Sequence, residues 1–339
     1  MQVAAITGKE TAGLVEKPDP HAKGEFAVVK VLVAPMCTEY KAFKAGNPGD
    51  CLGHEAAGEV VEVAQAGTVK VGDRVVVMPC YPCGKCTLCL RGDYIHCRNG
   101  QNALSVTGNT AGTATYAQYL IKQDWLLLPI PQGMSIEHGS LACCGLGPTF
   151  GAMQRMAVDA LDTVLITGMG PVGLGGVING VSRGARVIAV EGHPYRANLA
   201  KELGAVAAVN PADAKEALKQ ILDLTDGQGV DKAVDCSGVP AAQRLMIDAT
   251  RRRGQVSFVG EGGDVAVNVS NDMIRKGLTL NGVWHWNRGD AARIMQVLAK
   301  SAPLLDKFVT HTFPMSRVED AWKLQLTGNC GKVLLHPWE

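Results

Sequence analysis

Short β-branched runs broken by Gly, Pro and Asp dominate the first 140 residues. Phe26–Val33, Gly58–Ala64 and Val71–Met78 are the clearest of them, and together they predict an all-β module of barrel or sandwich type. From about Leu141 the rhythm changes. Strand-like TVLITG, VIAVE, AVAAVN, KAVDCSG and QVSFVG alternate with helix-like Tyr195–Leu203, Ala212–Leu224 and Pro240–Arg251. Such alternation predicts a parallel sheet with helices on both faces. It stops near Gly282. The tail reads as helix (Asp290–Ser301), strand (Phe308–Phe313), helix (Val318–Thr327) and a last strand, KVLLH, which returns to the first module.

One window departs from these patterns: Thr163 to Ser182 carries no charge over 20 residues, a length that suits a membrane helix. Its β-branched start and glycine-rich middle read better as a strand, a loop and a helix, so no membrane span is expected. Composition agrees with a globular chain, since 47% of the 339 residues are hydrophobic and 19% charged. The net charge of +1 argues against nucleic acid as the main partner. Met1–Glu10 holds no basic segment followed by an apolar core, so a cytoplasmic location is expected.

Eleven cysteines without an export signal point to metal or thiol chemistry rather than disulfides. Cys83, Cys86, Cys89 and Cys97 can wrap one tetrahedral Zn²⁺ in a closed, structural site. Cys80 lies just outside that set and reads as a small buried residue. Cys37, His54 and Cys144 form a dispersed set of two thiolates and one imidazole, which leaves a fourth position for water or substrate oxygen. Glu55 follows the histidine directly and could support it or act as a transient fourth ligand.

Gly168–Gly173, GMGPVG, fits the dinucleotide fingerprint and lies between a predicted strand and a predicted helix. Gly168 allows the turn, Gly170 lets the backbone approach a pyrophosphate, and Gly173 permits close helix packing. Pro171 and Val172 open the helix whose amides would face the phosphates. Glu191 ends the second strand, 18 residues after Gly173, where a carboxylate accepts from ribose hydroxyls and repels a 2′-phosphate. NAD is therefore expected over NADP, with Arg196 and His193 as the features that favour the alternative.

These motifs, with GHEAAGEV at Gly53–Val60, VGDRV at Val71–Val75, DCSG at Asp235–Gly238 and GKVLL at Gly331–Leu335, make the chain resemble the zinc-dependent medium-chain alcohol dehydrogenases along its whole length. The resemblance implies an α/β protein with a GroES-like β-barrel catalytic domain (1–142 and 285–339) and a Rossmann doubly wound parallel sheet (143–284). It implies catalytic zinc on Cys37, His54 and a residue near 144, with Cys143 as the alternative to Cys144, and structural zinc on the four-cysteine lobe. Cofactor contacts would come from Gly168–Gly173, Glu191, Cys236, Ser237, Gly238, Val259, Gly260, and the backbone near Val283 and Trp284. Lys332 would sit near the pyrophosphate. Small-molecule alcohols or ketones would be the substrates, and a homodimer or homotetramer the assembly.

Against the family pattern, the hydroxyl-to-histidine relay is missing in the simplest register, where Glu39, Tyr40 and Ala42 stand instead. Either Glu39 takes the substrate proton or binds a further hydroxyl, or the backbone shifts so that Thr38 is the relay and Glu39 replaces the usual Asp. Pro148 stands where many relatives place Thr. Trp284, His285 and Trp286 suggest stacking on a polyol, cyclitol or sugar, with interface packing as the other reading. A simple aliphatic alcohol dehydrogenase and a non-catalytic zinc- and NAD-binding relative are the alternatives. Arg251–Arg253 reads as a solvated C-terminal helical turn.

Overall fold

The computed structural model describes all of residues 1–339, which form two compact units. The first contains Met1–Gly145, Asn287–Ala302 and Val309–Glu339, and the second contains Leu146–Trp286 and Pro303–Phe308.

The first unit opens with an antiparallel hairpin of β1 (Gln2–Gly8) and β2 (Thr11–Glu16). Its main sheet is built on β3 (Phe26–Pro35), which is apolar almost throughout. β3 pairs antiparallel with β4 (Ala56–Glu62), and β4 with β5 (Arg74–Val77). β6 (Tyr119–Gln123) lies antiparallel on β3, and β7 (Leu127–Pro129) on β5. The core under this sheet gathers Val29, Val31, Ala56, Val75 and Leu120 around Phe43 and Trp322, whose rings stack at 5.2 Å. The predicted Val71–Met78 strand begins only at Arg74. Before it, Gly72 stands at φ +90° and the Asp73 amide donates back to the Lys70 carbonyl at 3.1 Å, closing a turn.

The second unit is a six-stranded parallel sheet, β8 (Thr163–Thr167), β9 (Arg186–Val190), β10 (Ala207–Val209), β11 (Val230–Asp235), β12 (Thr250–Phe258) and β13 (Thr279–Gly282), in the spatial order β10-β9-β8-β11-β12-β13. Order reverses beside β8, the arrangement of a doubly wound sheet. The uncharged stretch divides at Gly168 into β8 and a helix, Pro171–Ser182. No helix is long and apolar enough to cross a membrane. β13 is not visible in the pattern, because only one of its four residues is buried.

Arg251–Arg253 is not a helical turn. The helix Pro240–Ala249 ends first, Thr250 is already extended at φ −77° and ψ 133°, and the arginines open β12. Arg251 Nε pairs with Asp231 at 2.6 Å. The tail supplies β14 (Val309–Pro314) and β15 (Lys332–His336). β15 pairs parallel with β14 and antiparallel with β3 through Leu335 and Ala34, so the end of the chain completes the first unit's sheet.

Candidate functional site

Cys37 lies just past the end of β3, and His54 and Glu55 lie just before β4. Pairing of Val33 with Ala57 brings the two segments together. Cys144 follows the helix Ile136–Ser140. Sγ of Cys37 and Cys144, a ring nitrogen of His54 and a carboxylate oxygen of Glu55 all lie within 4.8 Å of one another. Two thiols, an imidazole and a carboxylate are a donor set that fits zinc. Cys143 lies outside that set, with its Sγ donating to the His54 carbonyl at 3.7 Å.

Glu39 Oε1 bonds His54 Nδ1 at 2.8 Å, which leaves Nε2 as the ring nitrogen for the Cys37 and Cys144 side. Glu39 Oε2 accepts from the Tyr116 hydroxyl at 2.8 Å and from the Cys37 amide at 3.3 Å. Burial opposes the charged carboxylate, yet His54 and Tyr116 together hold Glu39 below the usual range. The same burial pushes the Tyr116 phenol well up, so it remains a donor. Both oxygens of Glu39 thus have protein partners, His54 on one and Tyr116 with the Cys37 amide on the other. Thr38 is exposed beside Cys37.

The second cluster is Cys83, Cys86, Cys89 and Cys97, again with all ligand atoms within 4.8 Å. Neighbouring Sγ atoms stand 3.5 Å (Cys86–Cys89) and 3.6 Å (Cys97–Cys83) apart. The Lys85 amide draws the Cys83 thiol down to about 6, whereas burial pushes Cys89 up to about 12. Gly92, at φ +87°, is required here, because a Cβ would collide with Asn287 Oδ1. Asn287 Nδ2 donates to the Arg91 carbonyl and to Asp93, both at 2.8 Å, and Arg288 Nε donates to the Trp125 carbonyl at 2.6 Å. Cys80 is exposed, not buried as its sequence context suggested.

In the glycine loop Gly168 stands at φ +82°, and a Cβ on Gly173 would strike the Gly168 carbonyl. Gly170 caps the helix begun by Pro171 and Val172, both partly buried. Glu191 follows β9, and its carboxylate accepts from the Met169 amide at 2.7 Å and the His193 amide at 2.8 Å. Asp235, fully buried at the end of β11, is a residue the sequence reading missed. It accepts from Thr167 Oγ1 at 2.8 Å, from Ser237 N and Oγ at 2.9 and 2.7 Å, from Gly238 N at 3.1 Å and from Gln243 Nε2 at 2.9 Å. It thereby fixes the Cys236–Gly238 turn against the glycine loop, where Ser237 Cβ fills the space 2.7 Å from a Cβ on Gly168. The Val259 and Gly260 amides both donate to the Asp235 carbonyl at 2.9 Å, and Val283 donates to Phe258 at 3.0 Å. Arg196 is partly buried on the helix Pro194–Glu202.

Residues 27–132 match the alcohol dehydrogenase GroES-like domain and residues 171–300 the zinc-binding dehydrogenase family. The L-threonine 3-dehydrogenase of Pyrococcus furiosus is 32% identical over 335 residues, which cover 94% of this chain and 92% of that enzyme. The chain belongs to the zinc-dependent alcohol dehydrogenase family. Its fold agrees: alcohol dehydrogenase TADH from Thermus sp. ATN1 has a TM-score of 0.88 at 24% identity, with 99% of both chains covered. 2R,3R-butanediol dehydrogenase from Bacillus subtilis has a TM-score of 0.84 at 25% identity, also with 99% of both chains covered.

Two residues of this zinc-dependent dehydrogenase have partners that the sequence did not show. Lys332, expected beside a pyrophosphate, is fully buried with its Nζ 2.6 Å from Glu55 Oε1. Glu55 Oε2 accepts from the Cys144 amide at 3.1 Å, so the same carboxylate also steadies a member of the cluster. Trp286, expected to stack on a substrate or at an interface, is 2% exposed and packs edge-on to Phe150 at 6.2 Å. His285 is buried beside it, and of the three only Trp284, 50% exposed, reaches the surface. Pro148 lies buried in the first turn of the helix Gly147–Arg155.

Proposed function

We propose that this chain is an NAD-dependent dehydrogenase for a secondary alcohol that carries a second polar group, polyols included. Cys37, His54 and Cys144 hold its catalytic zinc, and Cys83, Cys86, Cys89 and Cys97 its structural zinc. The observation that carries this reading is the convergence of Cys37, His54 and Cys144 beside Glu55. When bound, zinc supplies Lewis acidity that lowers the pKa of a substrate hydroxyl, and nicotinamide supplies the hydride acceptor.

The chain's own residues bind and orient. Glu39 holds the His54 ring by Nδ1, and Lys332 balances the charge of Glu55. Thr38, exposed next to Cys37, takes the relay hydroxyl's place. Amides at the start of the helix Pro171–Ser182 receive the pyrophosphate. Glu191 accepts from the ribose hydroxyls and disfavours a 2′-phosphate, which is the basis for NAD over NADP.

The substrate class draws on two relatives' names. L-Threonine carries an amino group beside its secondary hydroxyl, and 2R,3R-butanediol carries two adjacent secondary hydroxyls. The test measures zinc content and the formation of reduced nicotinamide with L-threonine, 2,3-butanediol, polyols, cyclitols, sugars and simple aliphatic alcohols. Two zinc ions per chain and turnover concentrated on vicinally substituted secondary alcohols are the expected result. Turnover confined to unsubstituted alcohols would overturn the substrate class. Full turnover by the Cys144→Ser variant would overturn the metal assignment.

A further inference from the structure

The Glu39 carboxylate that holds His54 has a support of its own. Tyr116 is fully buried shortly before β6. Its hydroxyl donates to Glu39 Oε2 at 2.8 Å and accepts from the Cys37 amide at 3.3 Å. Its ring also reaches the His54 segment. Gly53, at φ +84°, precedes His54, and a Cβ there would lie 2.6 Å and 2.7 Å from the Tyr116 ring carbons Cδ1 and Cε1. Trp322, also fully buried, stands 6.2 Å from the Tyr116 ring. One side chain thus touches the backbone beside both candidate ligands and the carboxylate that joins them.

We infer that Tyr116 is a positioning residue for the metal centre: its hydroxyl locks Glu39 onto His54 and so fixes the imidazole's orientation relative to Cys37. The inference rests on the proposed metal assignment. Its physical basis is the freedom that the phenol removes. Glutamate has one more rotatable bond than aspartate, and a carboxylate with one unanchored oxygen can turn to another donor. Tyr116 occupies the second oxygen, so the first stays on Nδ1. A partner of this kind sets ring orientation and ligand basicity, and its loss typically lowers metal affinity 10- to 100-fold.

The experiment follows zinc release from the intact, zinc-loaded protein into a chromogenic chelator. Wild-type protein should release its metal in two phases, and Cys97→Ser, which opens the four-cysteine lobe, identifies the phase belonging to that lobe. Tyr116→Phe keeps the ring and removes the hydroxyl. It should speed the other phase by about 10-fold or more, with the lobe phase unchanged as an internal control for folding. In the cobalt-substituted protein the same variant should shift the visible d–d bands of the Cys37–His54–Cys144 site. On a Glu39→Gln background, Tyr116→Phe should add little, because both act through one carboxylate. Unchanged release and unchanged cobalt bands in Tyr116→Phe, or additive effects in the double variant, would overturn the inference. A wild-type protein with a single release phase that Cys97→Ser abolishes would overturn the metal assignment, and the inference with it.

Discussion

Lys332 Nζ and Glu55 Oε1 lie 2.6 Å apart with both side chains fully buried, although 277 residues separate them in the chain. Removing one partner from such a pair strands a charge out of reach of water. Burial opposes the Lys332 ammonium, but Glu55 and the facing Cys37 hold its pKa above the ordinary lysine range. The pair's contribution is therefore complete through neutral and moderately alkaline pH, and is lost only as pH rises through that raised pKa. Lys332→Met should cost about 3–5 kcal/mol, read as a lower denaturant midpoint at unchanged slope. Combining it with Glu55→Gln should recover much of the loss. If the double variant is no more stable than Lys332→Met, the pair is not the source of the cost.

Lys122 has the opposite linkage. It is buried on β6, with Nζ 2.6 Å from the Cys80 carbonyl and 3.8 Å from the centre of the Tyr81 ring, and burial lowers its pKa to about 7. From there up to the ordinary lysine value of about 10.4, the unfolded chain holds a proton that the folded chain lacks. Stability from this site therefore rises with pH across that window and falls again on acidification. Lys122→Met should be the more stable protein by roughly 2–5 kcal/mol at neutral pH, with the gap closing as pH rises. Chemical denaturation of both proteins at several pH values checks this. A gap that is constant with pH would show that Lys122 titrates normally.

Glu191 should set cofactor choice. Replacing it by Gln keeps the size of the side chain, weakens acceptance from a ribose and removes repulsion of a 2′-phosphate. A hydrogen bond to a charged group is worth about 1.5–3 kcal/mol, so kcat/KM with NAD should fall roughly 10- to 100-fold while that with NADP rises. Steady-state kinetics with both cofactors decides it, and parallel losses with the two would point instead to collapse of the glycine loop held at Met169.

Trp286 and Trp284 separate packing from recognition. Trp286→Ala empties a buried site against Phe150 and should cost about 3–5 kcal/mol. Trp284→Ala removes an exposed ring and should change stability by less than about 0.5 kcal/mol. Thermal melts distinguish the two. A selective rise in KM for polyols in a fully stable Trp286→Ala protein would restore that residue to the substrate site.

Much of the architecture was legible in the chain. Val318–Thr327 and KVLLH form the helix and the strand their patterns predict, and the uncharged Thr163–Ser182 stretch splits into strand and helix at its glycines. The cysteine lobe and the glycine loop were legible as well, since each is a short motif whose spacing alone brings its members together. β13 was not legible, because only one of its four residues faces the core and so no period shows. Nor was the course of Arg251–Arg253, an irregularity between the pairing of Thr250 with Val230 and that of Gln255 with Lys232, in which Arg253 stands at φ +60°.

Residue type and local spacing thus determined the strand and helix rhythm of the two units, the four-cysteine set and the nucleotide loop, because each depends on neighbours within one turn, strand or short loop. Tertiary structure alone decided how those residues are used. It placed Cys144 rather than Cys143 with Cys37 and His54, turned Glu39 onto His54 and Tyr116, gave Lys332 to Glu55, and buried Trp286. The physical reason is distance along the chain. The partners of Cys37, Glu39 and Glu55 arrive on strands and loops up to 277 residues away, carried there by the pairing of β3 with β4 and β15, and no local pattern encodes that meeting.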